Sequence, residues 1–324
     1  MKDSSQHPRR LGIVMDPIEG ITAYKDTSLA LMLAFQARGY RVFYMQAADL
    51  EVDRGSAIAH GQWLKLMDNN NHWFEREEAE TLALGSLDLI LMRLDPPVHD
   101  TYHTALQILD LAEKQGACVL NRPASIQRFN EKVFATHFAD LNAESLISQR
   151  SDSLRRFVRL WEFTILKPLD GMGGTGIFKV SAKDPNLSVI IEQLTDNGSR
   201  KIMAQRYMPE IKEGDKRILL VNGEAVPYAL ARLPAKGEVR GNIAAGGSGR
   251  PQALSPSDWE IARELGPKLR ELGLLFVGLD VIGDKITEIN VTSPTCAREI
   301  DAAFQTNIGD LLVDAFEALP IARA

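Results

Sequence analysis

A chain of 324 residues, 45% hydrophobic and 25% charged, is long enough for two or three domains with full cores. A net charge of -6 and a pI near 5.6 exclude an electrostatic case for nucleic acid or an anionic membrane as partner. Two cysteines, Cys118 and Cys296, make no disulfide framework, the polar opening residues lack the apolar stretch of a secretory signal, and no apolar run is long enough to span a bilayer. A soluble, cytoplasmic protein is expected.

Residues 11–122 alternate strand and helix. Leu11 to Met15 reads as a strand, Ser28 to Arg38 as a helix closed by Gly39, and Arg41 to Met45 as a second strand. Leu87 to Arg93 is a further strand, Thr104 to Gln115 a helix ending at Gly116, and Ala117 to Asn121 a strand. This rhythm predicts a mostly parallel sheet with helices on its faces. Ligands of such sheets sit beyond the carboxyl ends of strands, where Asp16-Pro17 and Arg93-Leu-Asp-Pro-Pro97 fall. Residues 51–81 show no clear period; their acidic run, Glu75 to Glu80, is expected as a solvated helix face. His60 and His72 match no metal-ligand spacing.

Asn121-Arg-Pro123 marks a boundary, giving a first domain over 1–122. A second, 123–201, opens with a helix over Ser125 to Phe138 that carries Asn130-Glu-Lys132. A third, 202–324, follows the strand-like Arg200 to Met208. It holds a hairpin through Asn222-Gly223, then the loop 234–250 with five glycines and two arginines. A helix starts at Ser255 with Pro256 at its first position and Asp258 at its third. A last hairpin, Leu275 to Val281 and Lys285 to Val291, precedes a terminal helix from Gly309.

The densest signal is Lys167-Pro-Leu-Asp-Gly-Met-Gly-Gly-Thr-Gly-Ile-Phe178, with four glycines in six residues. Gly171, Gly173 and Gly176 satisfy the dinucleotide fingerprint, but that motif needs a helix to follow, and Ile177 to Val180 alternates like a strand. No Walker A motif occurs. A ligand-free glycine turn needs fewer glycines and no lysine, so a flap between antiparallel strands, closing on phosphates, is the working reading. The last hairpin is the second signal. Glu288 and Asn290 are two apart on one strand and share a face, and Asp280 on the other strand can join them around a hard cation such as Mg²⁺. Solvated acids on an edge hairpin are the alternative. Lys132 and Lys167 supply positive charge; Asp215 and Arg217 could reach a ribose and a phosphate.

Lys132, Lys167, the glycine flap, Met203 to Met208 and Asp280 with Glu288-x-Asn290 resemble the ATP-grasp fold. Asp95-Pro-Pro97, Asn130-Glu-Lys132, Gly278-Leu-Asp280 and Glu288-Ile-Asn-Val-Thr-Ser-Pro-Thr-Cys296 sharpen this to a resemblance with the bacterial glutathione synthetases, over about residues 11–318. It implies an α/β fold: an N-terminal mostly parallel α/β domain, a lid subdomain, and a C-terminal antiparallel-sheet subdomain with the metal site. It also implies ATP-dependent ligation of γ-glutamylcysteine with glycine through an acyl phosphate. Lys132, Lys167, Gly171, Gly173 and Gly174 would meet the ATP phosphates. Gln205, Tyr207 and Met208 would hold adenine and Asp215 the ribose. Asp280, Glu288 and Asn290 would hold Mg²⁺ or Mn²⁺. Arg217, Arg232 and the lid residue Arg240 would act catalytically. Arg93, Asn242, Ser293, Thr295 and Arg298 would bind substrates, and a homotetramer is implied. Leu94 departs from the polar or basic residue that often follows the arginine in this family. Another carboxylate–amine ligase of the same fold, or a non-catalytic ATP-binding module, would retain most of these residues.

Overall fold

The computed structural model describes residues 8–238, 240–241 and 246–320. The first sheet is built from β1 (Arg10–Val14), β2 (Arg41–Met45), β3 (Leu50–Asp53), β4 (Ser56–Leu66), β5 (Phe74–Ala83), β6 (Leu89–Met92) and β7 (Cys118–Leu120). Its centre, β2-β1-β6-β7, is parallel. These strands read as continuous apolar runs because α1 (Thr27–Ala37) and α2 (Asp100–Lys114) cover opposite faces. Asp26 caps α1, its carboxylate accepting from the Leu29 N–H at 2.6 Å.

The expected helix face at Glu75 to Glu80 is instead strand. β3, β4 and β5 extend the sheet antiparallel, with the acidic run on the outer strand β5. Both faces of β5 are largely solvated, so it lacks the apolar alternation that marks a strand. His60 meets Thr81 and Glu51, while His72 meets Glu75. Among the described residues no group of three or more His, Cys, Asp or Glu side chains could hold a metal ion.

The single helix expected over Ser125 to Phe138 is two, α3 (Pro123–Arg128) and α4 (Glu131–Ala135). Asn130 separates them, its side-chain oxygen accepting from the N–H groups of Lys132 and Val133 at 3.1 Å. An Asx side chain capping a new helix outcompetes continuation of the old one. A second, antiparallel sheet follows: β8 (Ser145–Ser148), β9 (Thr164–Pro168), β10 (Phe178–Val180) and β11 (Ile202–Arg206), in the order β10-β9-β11-β8. It packs on α5 (Ser151–Val158) and α6 (Leu187–Leu194). β11 lies past the boundary expected at 201/202 yet pairs with β8 and β9.

The third sheet, also antiparallel, is ordered β14-β13-β12-β15-β16. It comprises β12 (Asp215–Val221), β13 (Glu224–Leu233), β14 (Ser248–Ala253), β15 (Phe276–Ile282) and β16 (Lys285–Asn290). β14 begins inside the stretch expected as loop 234–250. Asn222 and Gly223 both take positive φ, 50° and 77°, as a tight hairpin turn demands. α7 (Pro256–Glu271) starts in the capping box of Ser255 and Asp258 and covers one face of this sheet. α8 (Ala297–Phe304) and α9 (Ile308–Glu317) return to the first domain, where α9 packs along α1.

Asn121 joins the first sheet to the third. Its buried amide donates to the Phe276 carbonyl at 2.7 Å and the Val291 carbonyl at 2.8 Å, and accepts from the Phe276 N–H at 2.9 Å. No apolar residue satisfies those three groups. Asn121→Ala should therefore lower unfolding stability by about 2–4 kcal/mol. Denaturant titration checks this; a change below about half a kcal/mol would show that the amide does not couple the domains.

Candidate active site

The ladder of the third sheet places charge opposite charge. Asp215 faces Arg232 across β12 and β13, Arg217 faces Asp280 across β12 and β15, and Asp280 faces Glu288 across β15 and β16. All are wholly or largely buried. Arg217 Nε donates to Asp280 Oδ1 at 2.7 Å. Arg232 Nη2 lies 2.8 Å from Asp280 Oδ2 and 2.5 Å from Asp215 Oδ2. Burial alone would push the Asp280 carboxyl up, but the two guanidiniums outweigh it and hold it well below the usual carboxylate range.

Glu288 is met from the second sheet. Lys167 on β9 and Lys132 on α4 approach Glu288 Oε1 at 3.2 and 3.6 Å. Burial again raises this carboxyl, and the two ammoniums reverse the shift. Asn290 lies opposite Gly278, and its Nδ2 donates to the Gly278 carbonyl at 3.1 Å. That leaves its amide oxygen as a donor to a cation. Two carboxylates and one amide, all oxygen, suit a hard divalent ion.

Between β9 and β10 the flap crosses over this cluster. Gly173, Gly174 and Gly176 adopt φ of 62°, 83° and 72°, a left-handed path few side chains tolerate. Lys132 Nζ donates to the Gly171 carbonyl at 2.9 Å, tying the flap to α4. Two cavities meet under the flap and share Gly171, Met172, Gly173, Asp280 and Glu288. The first, between the two antiparallel sheets, is lined by Lys132, Lys167, Gly174, Gln205, Tyr207, Met208, Asp215 and Arg240, with Ile165, Ile177, Ile211 and Ile282 as apolar walls. Gln205 Nε2 and Asp215 Oδ1 are buried there without hydrogen-bond partners, which is costly unless a ligand supplies them. Burial raises the Asp215 carboxyl to about 6, although Arg232 opposes the shift.

The second cavity, toward the first domain, is lined by Arg217, Arg232, Asn290, Ser293, Thr295 and Cys296. Arg93 and Arg298 do not reach its wall. Arg93 is buried behind it, donating to Ser28 Oγ at 3.0 Å and the Pro294 carbonyl at 2.9 Å. Arg298 pairs with Asp68 at 2.9 Å. Asn242 lies outside the described residues. Two residues that carried no role in sequence shape this cavity. Glu131 accepts from the N–H of Val291, the N–H of Thr292 and Thr292 Oγ1, pinning the turn after β16 to α4. Asp95 accepts from Ser293 Oγ at 2.5 Å. Both stand in the quoted motifs Asn130-Glu-Lys132 and Asp95-Pro-Pro97, but only tertiary packing shows what they hold.

Two antiparallel sheets closing on a cavity of lysines, flap glycines and buried carboxylates define an ATP-grasp ligase. A solved structure titled D-cycloserine synthetase DcsG shares the fold, with a TM-score of 0.67 over 94% of this chain and 98% of that one, at 14% identity. Family models match along the chain: the prokaryotic glutathione synthetase N-terminal domain at residues 10–127 and its ATP-grasp domain at 131–305. The glutathione synthetase of Pseudomonas aeruginosa is 57% identical over 314 residues, 97% of this chain and 99% of that one. That of Shewanella oneidensis is 54% identical over 308 residues, 95% and 98% of the two chains. The chain belongs to the prokaryotic glutathione synthetase family and is an ATP-dependent ligase that makes glutathione. Among its described residues no helix is long and apolar enough to cross a membrane.

Removing Glu288 leaves two buried ammoniums facing each other. Glu288→Ala should destabilise the ligand-free protein by about 3 kcal/mol and abolish turnover. The melting-temperature deficit should shrink with saturating ADP, whose phosphates replace the lost carboxylate; an unchanged deficit would contradict the shared role of the lysines. Asp215 gives a pH test. Its carboxyl is raised from 3.8 to about 6 on folding, so the stability tied to its protonated form is complete below pH 3.8 and lost as pH rises through about 6. The stability of wild type relative to Asp215→Asn should fall across that interval and level off above it, read from unfolding curves of ligand-free protein at stepped pH.

Proposed function

We propose that the chain joins γ-glutamylcysteine to glycine by way of an acyl phosphate. The observation that carries this is the meeting of the two cavities at Asp280 and Glu288, which sets the space lined by Lys132, Lys167, Gln205 and Asp215 against the one lined by Arg217, Arg232, Ser293 and Thr295. A cysteinyl carboxylate oxygen attacks the γ-phosphorus of ATP, the bond to the β-phosphate oxygen breaks, and ADP leaves. The glycine amine then adds to the acyl carbon, loses a proton, and expels inorganic phosphate.

The protein contributes position and charge rather than covalent chemistry. The unpartnered Gln205 Nε2, with the chain from Gln205 through Tyr207 to Met208, fits an adenine. The unpartnered Asp215 oxygen fits a ribose hydroxyl. Lys132, Lys167 and the N–H groups around Gly171, Gly173 and Gly174 fit the phosphates. Asp280, Glu288 and Asn290 would hold Mg²⁺, or Mn²⁺ on the same oxygen donors. When bound, the ion neutralises charge on the nucleotide. Arg217 and Arg232 border the substrate cavity while anchored to Asp280, so they are held in place to stabilise the acyl phosphate and the oxyanion that follows. Ser293 and Thr295 receive substrate carboxylates. Arg93 positions that turn through the Pro294 carbonyl. Arg240 reaches the Gly174 carbonyl at 3.5 Å, linking loop 234–250 to the flap. It would help close the site, because an acyl phosphate must be kept from water. Family membership supports a cytoplasmic homotetramer, which light scattering on the purified chain would check.

The mechanism predicts phosphate release that requires ATP, γ-glutamylcysteine and glycine together. Heavy oxygen placed in the cysteinyl carboxylate should appear in the released phosphate. Unlabelled phosphate alongside normal glutathione formation would rule the acyl phosphate out.

A further inference from the structure

β16 departs from a regular strand at one residue. Counting from the turn at Gly283-Asp284, Lys285 pairs with Ile282 and Ile286 with Val281, but Glu288 rather than Thr287 pairs with Asp280. Thr287 is therefore the extra residue of a β-bulge. Burial records the same break. Ile286 and Ile289 lie three apart, a spacing that puts side chains on opposite faces of a regular strand, yet both pack in one core with Leu279 and Val281. Had the ladder run on evenly, Thr287 would oppose Asp280 and Glu288 would oppose Leu279. A slip of one residue sends a side chain to the other face. Glu288 would then enter the apolar core beneath α7, away from Lys132 and Lys167, where an unpaired carboxylate is costly.

The bulge is held on both edges. On the outer edge, the Ile286 N–H donates to the Leu141 carbonyl at 2.8 Å, and the Ile286 carbonyl accepts from the Ala143 N–H at 3.4 Å. Toward β15, the buried Thr287 Oγ1 donates to the Asp280 carbonyl at 3.2 Å. That hydroxyl links the residue before Glu288 to Asp280 itself. We propose that Thr287 is a positioning residue: its bulge turns Glu288 onto the face of Asp280, and its hydroxyl holds the Glu288 carboxylate where it can share a divalent ion with Asp280. This rests on the cation assignment of Asp280, Glu288 and Asn290 under the proposed function.

Thr287→Val keeps the branched shape and removes the donor, whereas Thr287→Ser keeps the donor. Free Mn²⁺ counted by electron paramagnetic resonance over the ADP-bound protein reads ion affinity apart from turnover. Thr287→Val should weaken that affinity about tenfold and Thr287→Ser less than about threefold, as expected for a group that orients a metal ligand. Glu288→Gln should weaken it about tenfold or more, and adding Thr287→Val to it should cost less than about twofold further, because the hydroxyl acts through that carboxylate. In glutathione formation the Mg²⁺ concentration for half-maximal rate should rise in step with the Mn²⁺ loss, with the KM of glycine within about twofold. A lowered melting temperature with unchanged Mn²⁺ affinity in Thr287→Val, a serine variant as weak as the valine one, or full additivity with Glu288→Gln would each overturn the proposal. A Glu288→Gln variant that binds Mn²⁺ like wild type overturns the cation assignment, and this proposal with it.

Discussion

Everything in the site depends on two carboxylates held opposite one another in a buried antiparallel pair. Asp280 and Glu288 could not both stay ionised there without compensation, because desolvation alone drives each toward its neutral form. Arg217 and Arg232 answer for Asp280, and Lys132 and Lys167 for Glu288. The four cations therefore keep both acids ionised; on the proposed assignment the two lysines would also face the nucleotide phosphates and the two arginines the reacting substrate. On that assignment, folding stability and affinity for ATP would share the lysine contacts.

That sharing imposes a requirement on the rest of the fold. The cations arrive from three places: β12 and β13 of the third sheet, β9 of the second, and the short helix α4. Each has to be registered against β15 and β16 to within a hydrogen bond's tolerance. The sheet ladder does this for the arginines. For Lys132 the work falls to Glu131 and Asn130, which tie α4 to the turn after β16 and start its helix at the right residue. Asn121 performs the corresponding task for the first domain, fixing the end of β7 against β15 and the residue after β16.

Legibility followed how local the cause was. The helix at Ser255 announced itself because its capping box lies within four residues, and the hairpin at Asn222-Gly223 because its turn requires those residue types. β5 did not, since a strand solvated on both faces has no apolar alternation and its pairing with β4 is the only evidence for it. The break at Asn130 was hidden for another reason: an asparagine inside an apolar-periodic run looks like a tolerated polar residue until its side chain is seen capping the next turn. In the site, the sequence supplied Lys132, Lys167, Asp280, Glu288 and Asn290 as a set, but with nothing to say that the lysines pair with Glu288. Arg93 and Arg298 looked like cavity residues because charge in a motif is visible and burial direction is not.

By itself the sequence determined the chemistry available to this protein. Glycine spacing, the acid–x–amide strand and the ordered motifs point to atoms suited to phosphate or a cation, since those properties belong to residue types and short spacings. Only the tertiary structure decided which charge neutralises which, where the two cavities join, and which polar atoms are left waiting for a ligand. Those outcomes depend on strand register and interdomain packing across more than a hundred residues of chain, as in the reach from Lys167 to Glu288, and no local pattern encodes them.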